Sequence, residues 1–230
     1  MRIAIVSAMR EELEAVLDLM PDESREVVAG REFWVGRLHG REVVAVLSRI
    51  GKVAAATTAS VLLERFRVGE IVFTGVAGGL GAGVGVGDVV VADAFLQHDL
   101  DASPLFPRHE VPLYGTSRFS TDAALSARLA QAVRQALPAA RLHRGLVVSG
   151  DRFVSTTAES RALQSALPDA SAVEMEGAAI AQVCHDFGVP FAAVRTISDR
   201  ADDAAHADFA SFLREVAGPH SAAIVRALLA

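Results

Sequence analysis

Between Val173 and Asp199 the chain reads Val-Glu-Met-Glu, an apolar run from Gly177 to Phe187, then Gly188-Val189-Pro190, then Phe191 to Ile197, then Ser198-Asp199. The run to Phe187 is rich in helix formers, Gly188-Val189-Pro190 is a stop signal, and Phe191 to Ile197 reads as a buried strand. A buried helix leading straight into a buried strand points to an α/β protein. Glu174, Glu176, Arg195 and Asp199 stand at the edges of these core elements. Charge placed there is costly unless partners or chemistry account for it.

No Ser/Pro-rich stretch or block of charge divides the 230 residues, so one domain spanning 1–230 is expected. An apolar content of 51% with 18 glycines suits strands covered on both faces and joined by tight turns. A formal charge of -6 gives no basic footprint for nucleic acid or an anionic membrane, and nothing else argues for either partner. The single cysteine, Cys184, lies inside the helical run, where a buried thiol is expected rather than a nucleophile or ligand. Near the amino terminus only Ile3 to Met9 separate Arg2 from Arg10-Glu11-Glu12, short for the apolar part of a signal peptide. A cytoplasmic address is therefore expected. Ile71 to Gly87 carries no charge, but its glycines mark a buried strand and a loop, not a membrane span.

Taken in order, Ile3 to Val6 reads as a parallel strand and Arg10 to Leu19 as a helix, with Leu13, Val16 and Leu17 at helical spacing. Glu11 and Glu12 fall at the strand-to-helix junction, where open α/β sheets bind ligands. Acids in a first helical turn also complement the helix dipole, and for either glutamate taken alone that is the favoured reading. Phe33 to Leu38 and Glu42 to Leu47 flank His39-Gly40 as a hairpin, which makes the sheet mixed. A helix from Val53 to Phe66 follows Ser48-Arg49-Ile50-Gly51-Lys52. Gly51-Lys52 lacks the upstream glycine and the following Ser/Thr of a phosphate-binding loop.

Ile71 to Thr74 is the next strand, and Gly75-Val76-Ala77-Gly78-Gly79-Leu80-Gly81 reads as a loop whose backbone can approach a ligand closely. No G-x-G-x-x-G is present, and a strand, Asp88 to Ala94, follows where a dinucleotide fold needs a helix. His98-Asp99-Leu100-Asp101 reads as a polar loop rather than a metal cluster, and Ser103 to Gly115, with three prolines, as a long irregular loop. Thr121-Asp122 caps a helix to about Leu137, and Leu142 to Val148 is a strand. Ser149-Gly150-Asp151-Arg152-Phe153-Val154 follows, with no serine in a G-x-S-x-G elbow. Phe153 is either core or an aromatic wall for a flat base. A helix from Thr157 to Leu167 ends at Pro168. Asp202, Asp203 and Asp208 form a solvated acidic loop, and Phe209 to Leu229 a helix interrupted at Gly218-Pro219. Strand-helix alternation with one hairpin implies three layers, helix on sheet on helix.

Six phrases recur in fixed order: the opening Met-Arg-Ile-Ala-Ile-Val-Ser-Ala-Met-Arg-Glu-Glu, Ser48 to Ala55, Thr74 to Gly79, Val148 to Asp151, Val173 to Glu176, and Arg195 to Asp199. In this order and spacing the chain resembles the 5′-methylthioadenosine/S-adenosylhomocysteine nucleosidases of the nucleoside phosphorylase superfamily. The resemblance implies that Asp199 shares a proton with adenine N7 while Ser198 holds its carboxylate, and that Glu12, helped by Arg195, orients and deprotonates a water. Glu176 would accept from the ribose hydroxyls, with Met175 against the sugar and the backbone of Phe153 and Val154 on the adenine edge. The loop residues Val76, Ala77 and Gly78 would approach the ligand. Ile50 and Phe209 would line the 5′ pocket, with Ala102 and Leu105 from the second subunit of a homodimer. No cofactor or metal is implied.

The chemistry asks for the same residue types. Cleaving an N-glycosidic bond passes through an oxocarbenium-like sugar, so the base must be made a better leaving group and a nucleophile supplied. Two carboxyl groups with opposed tasks do this, one donating a proton and one accepting. A third on the ribose hydroxyls binds more tightly as positive charge builds on the sugar. Relatives that transfer ribose to phosphate carry an arginine and a Ser or Thr where this chain has Phe73 and Val76, which favours water as acceptor. Many nucleosidases also have serine at the Val76 position, and a phenylalanine is common at that of Leu105. The competing readings are a phosphate-dependent phosphorylase, a nucleosidase for 6-amino-6-deoxyfutalosine in menaquinone synthesis, and a purine nucleoside sensor.

Overall fold

The computed structural model describes residues 2–202 and 209–230. Asp203 and Asp208 of the expected acidic loop lie outside them. Strand β1 (Ile3–Ser7) is buried at every position and lies between β4 (Arg41–Leu47) and β5 (Glu70–Gly79), parallel to both. Alternate residues serve two cores. Ala4, Val6, Val44, Val46, Ile71 and Phe73 pack with α2 (Lys52–Glu64) and α5 (Gly177–Phe187). Ile3, Ile5, Val43, Ala45 and Val72 pack with α1 (Arg10–Leu17), α3 (Ala123–Ala136) and α7 (Gly218–Leu229). Burial on both faces is why these strands read as unbroken apolar runs, and it gives the three-layer α/β arrangement around a mixed sheet.

The expected hairpin is present: β3 (Arg31–Leu38) pairs antiparallel with β4 across His39-Gly40, both at positive φ, 49° and 78°. That backbone suits a two-residue hairpin turn. Beyond it β2 (Ser24–Val28) forms the outer edge, antiparallel to β3. Helix α5 ends at Gly188, whose φ of 63° supplies the left-handed cap.

The other half of the sheet closes on itself. Strand β10 (Phe191–Asp199) runs parallel to β5 and antiparallel to β6 (Val89–Gln97), and β6 runs parallel to β8 (Leu142–Ser149). Next comes β9 (Ala170–Glu174), parallel to β8, which meets β5 antiparallel at Gly78↔Val173 and Gly79↔Ala172. Five strands thus make a ring. A small third core, including Leu96, Leu146, Val148 and Val173, comes from them. The short β7 (Arg118–Ser120) pairs with β6, and α4 (Thr157–Ala166) leads back to β9.

Two expectations need correction. Gly75 to Gly79 is not loop: β5 runs through it, because neighbours on both sides supply hydrogen-bonding partners and glycine leaves them room to approach. The last helix is not broken at Gly218-Pro219. A single turn, α6 (Phe209–Phe212), passes through a π-helical segment, Leu213–Ala217, into α7, whose second residue is Pro219.

Candidate active site

Where β5 and β9 meet, a cavity of about 140 Å³ opens. Of the expected site residues, Ile50, Val76, Ala77, Gly78, Phe153, Val154, Met175, Glu176, Ser198, Asp199 and Phe209 line it. Glu12 and Arg195 are not among the lining residues but are buried, at 0% and 1% exposure. Ala102 and Leu105 are also absent from the wall, and Leu105 is 84% exposed. Ala8, Met9, Arg152, Val173 and Glu174 line it without having been given a role. Met9 could have been found from its place between β1 and the helix that carries Glu12.

Glu12 stands at the third position of α1, and its Oε2 accepts the Met9 N–H at 3.1 Å, closing the helix start. Its Oε1 is buried with no hydrogen-bond partner among the described residues. One oxygen thus serves the helix start, and the other is left without a partner. Burial raises its pKa from 4.5 to about 7, against the pull of the Met9 N–H, the Arg195 charge and the nearby backbone of Ala8 and Val76. A Cβ on Gly75 would sit 3.4 Å from Glu12 Oε2 and 3.6 Å from Arg195 Nη1, so carboxylate and guanidinium meet over this one glycine.

The Arg195 guanidinium lies 3.8 Å from the centroid of the Phe73 ring. Phe73 therefore supports the Arg195 cation with its ring face. The hydrogen bonds of Arg195 go to Glu174 Oε2 at 2.8 Å and to the carbonyls of Val194 and Phe73 at 3.0 and 3.3 Å. Its ion pair is thus with Glu174, which the sequence had left without a task. Glu174 also accepts from Ser149 Oγ, from Glu176 N at 3.2 Å, and from Gly177 N at 2.9 and 3.0 Å.

Glu176 opens α5 with its side chain in the cavity wall, and Oε1 accepts the Gly51 N–H at 2.8 Å. The adjoining Lys52 N–H donates to Asp151 Oδ1 at 2.7 Å, so two acids hold the start of α2. Burial, and then the neighbouring Glu174 charge, push the Glu176 pKa well above the usual carboxylate range. Lys52 Nζ pairs with Asp99 at 2.6 Å and Gln97 at 3.0 Å, which ties the His98–Asp101 loop to α2.

Asp199 ends β10. Its Oδ2 accepts from Ser198 Oγ at 2.7 Å and its Oδ1 from Ala201 N at 2.7 Å. A Cβ on Gly78 would lie 2.9 Å from Asp199 Oδ1, so the glycine in β5 is what lets this carboxylate sit against the strand. At the mouth Phe153, 42% exposed, faces Phe209 edge to face, with centroids 6.4 Å apart. The cavity therefore presents aromatic surface at its mouth, a carboxylate held by a hydroxyl and a second carboxylate at a helix start, while the half-satisfied carboxyl of Glu12 is buried outside its lining. Among the described residues no cluster of His, Cys, Asp and Glu suits a metal ion, and no helix is long and apolar enough to cross a membrane.

The chain belongs to the phosphorylase superfamily, whose family model it matches over residues 2–230. Within that class it is similar to 5′-methylthioadenosine/S-adenosylhomocysteine nucleosidases. That of Shewanella denitrificans is 37% identical over 229 residues, covering 100% of this chain and 99% of its own, and that of Geobacillus thermodenitrificans is 39% identical over 230, covering 100% and 96%. The crystal structure of the Neisseria meningitidis nucleosidase in complex with methylthio-immucillin-A superposes with a TM-score of 0.93 at 36% identity, covering 99% of this chain and 97% of the other. The futalosine hydrolase of Helicobacter pylori superposes with a TM-score of 0.91 at 36% identity, covering 99% and 96%.

Proposed function

We propose that this chain hydrolyses the N-glycosidic bond of 5′-methylthioadenosine and S-adenosylhomocysteine, releasing adenine and the thioribose product. The observation that carries the reading is the buried, unpartnered Oε1 of Glu12, on a carboxyl group whose pKa of about 7 suits a base working near neutral pH. A water on that oxygen gives its proton to Glu12 as its oxygen bonds to ribose C1′. The C1′–N9 electron pair leaves with adenine, and Asp199, oriented by Ser198, supplies the proton at N7. Glu176 accepts from the ribose hydroxyls, an interaction that strengthens as charge builds on the sugar. Arg195 holds its charge close to the water site while its hydrogen bonds go elsewhere. Met175 covers the sugar, Phe153 and Val154 take the adenine edge, and the backbone of Val76, Ala77 and Gly78 lies alongside.

Ile50 and Phe209 form the near side of the 5′ pocket. The exposure of Ile50 and of Leu105 fits completion of the pocket by Ala102 and Leu105 of a second copy, hence a homodimer, and the expected setting is the cytoplasm. Phe73 under Arg195 supports water over phosphate, since an apolar ring cannot replace a cation in holding an anion. The similarity to a futalosine hydrolase keeps one second reading in view, the same hydrolysis on 6-amino-6-deoxyfutalosine. Incubation with methylthioadenosine, adenosylhomocysteine and aminodeoxyfutalosine, with and without phosphate, separates these. Adenine release from the first two without phosphate is the expected result. A requirement for phosphate would sink the hydrolase, and turnover of aminodeoxyfutalosine alone would move the substrate. Light scattering tests the dimer.

A further inference from the structure

Glu174 is a buried acid that the proposed chemistry leaves unused. It lies two residues before Glu176, at the end of β9, and is 7% exposed. Four groups reach it, and all of them donate: Ser149 Oγ at the end of β8, the N–H groups of Glu176 and Gly177 at the start of α5, and Arg195 Nη2 on β10. Ser149 Oγ in turn accepts the Ala178 N–H at 2.8 Å, so the opening turn of α5 is held by this acid and its serine together. Glu176 itself offers no side-chain cap to that helix and turns its carboxylate to Gly51 and the cavity.

Resting on the nucleosidase reading, we infer that Glu174 is a positioning residue: it fixes the backbone from which Glu176 reaches the ribose, and it draws the Arg195 charge away from Glu12. Both oxygens are committed to protein donors, so Glu174 acts through its neighbours and not on substrate. Four groups bear on the electrostatics around it: Arg195 from β10, Glu176 from the start of α5, Glu12 through Arg195, and His98 beyond β6. Arg195 lowers the pKa of both Glu12 and Glu176, while Glu174 raises that of Glu176. Removing the Glu174 charge therefore moves both acids in one direction, towards ionisation at lower pH.

The test follows kcat and KM for methylthioadenosine from pH 5 to 9 in the parent protein, Glu174→Gln and Glu174→Asp. Glu174→Gln should move the acid limb of kcat/KM down by on the order of one pH unit, as expected for exposing two acids to an unpaired cation. It should also raise KM roughly ten-fold by loosening the Glu176 backbone. Glu174→Asp keeps the charge with a shorter reach, so the limb should stay while KM rises. A limb that stays in Glu174→Gln, or moves equally in both variants, overturns the inference. If Glu174→Gln does not accumulate as folded protein, Ser149→Ala carries the test: it keeps every charge and should raise KM with the limb in place, and an unchanged KM overturns the positioning role. A parent protein that releases no adenine would defeat the nucleosidase reading itself, a separate outcome from either of these.

Discussion

Glu12 and Glu174 are both shut away from water, at 0% and 7% exposure, yet their surroundings are opposite. Glu174 is met by four donor groups, whereas Glu12 has one backbone N–H on one oxygen and no partner on the other. Buried polar atoms in folded proteins are nearly always paired, so an unpaired one marks a place where the fold gives up stability for another purpose. Degree of satisfaction, more than burial or charge, separates the acid proposed to anchor from the acid proposed to react.

The most direct way to break that contrast is at Glu12. Glu12→Gln should lower adenine release by on the order of 10³-fold with the fold intact, since general-base catalysis contributes at that scale. Turnover near the parental rate would make Glu12 a second anchor. Asp199→Asn should lose about as much, through the leaving group instead of the water.

Glu12→Gln should also stabilise the protein. Because the folded-state pKa of Glu12 is raised, the folded chain binds the proton more tightly than the unfolded chain. The associated stability is present below pH 4.5 and lost as pH rises through about 7. At about 1.4 kcal/mol for each pH unit, the move from 4.5 to about 7 costs the folded chain about 3 kcal/mol in alkaline solution. Glu12→Gln should recover most of this at pH 8 and little at pH 5, as read by urea unfolding at the two pH values. An equal gain at both would remove ionisation as the cause.

Smaller effects sharpen the picture. In the parent, kcat/KM should climb as pH passes about 7 and Glu12 ionises; a flat profile from pH 5 to 9 would speak against it. Glu176→Gln should raise KM roughly ten-fold and lower kcat as well, because its proposed contact with the ribose would tighten along the reaction. Ile50→Ala should cost only a few-fold in KM for methylthioadenosine and leave adenosine almost unchanged, since roughly three carbons are lost from one side of an apolar pocket.

What the sequence made legible follows from where its signals are local. Strands β1 and β4, and helix α5 with its Gly188 stop, were readable because both faces of the sheet are apolar and the cap lies next to the run it ends. Strand β2 was missed because Ser24, Arg25 and Glu26 sit on an edge and bury little. The ring was invisible, since contacts such as Gly78↔Val173 join positions far apart in the chain. Gly75 to Gly79 read as loop because glycine usually signals a turn, whereas here it provides room beside Glu12, Arg195 and Asp199.

The site divides in the same way. Glu176 and Asp199 stood out as charges at the ends of apolar elements, whereas Glu12 was separated from Glu11 only by the resemblance. The task of Glu174 could not be read, because its side-chain partners Ser149 and Arg195 are 25 and 21 residues away. Arg195 was placed at the water site by resemblance, and its hydrogen bonds instead go to Glu174 and two carbonyls.

Strand β10 joins β5 to β6 and carries Arg195, Ser198 and Asp199. A ribosome delivers it only after every other strand of the ring has left the tunnel. Until Phe191 to Asp199 emerge, the growing chain has neither its closing strand nor the acid proposed to protonate the base. The proposed site can therefore be assembled only late in synthesis.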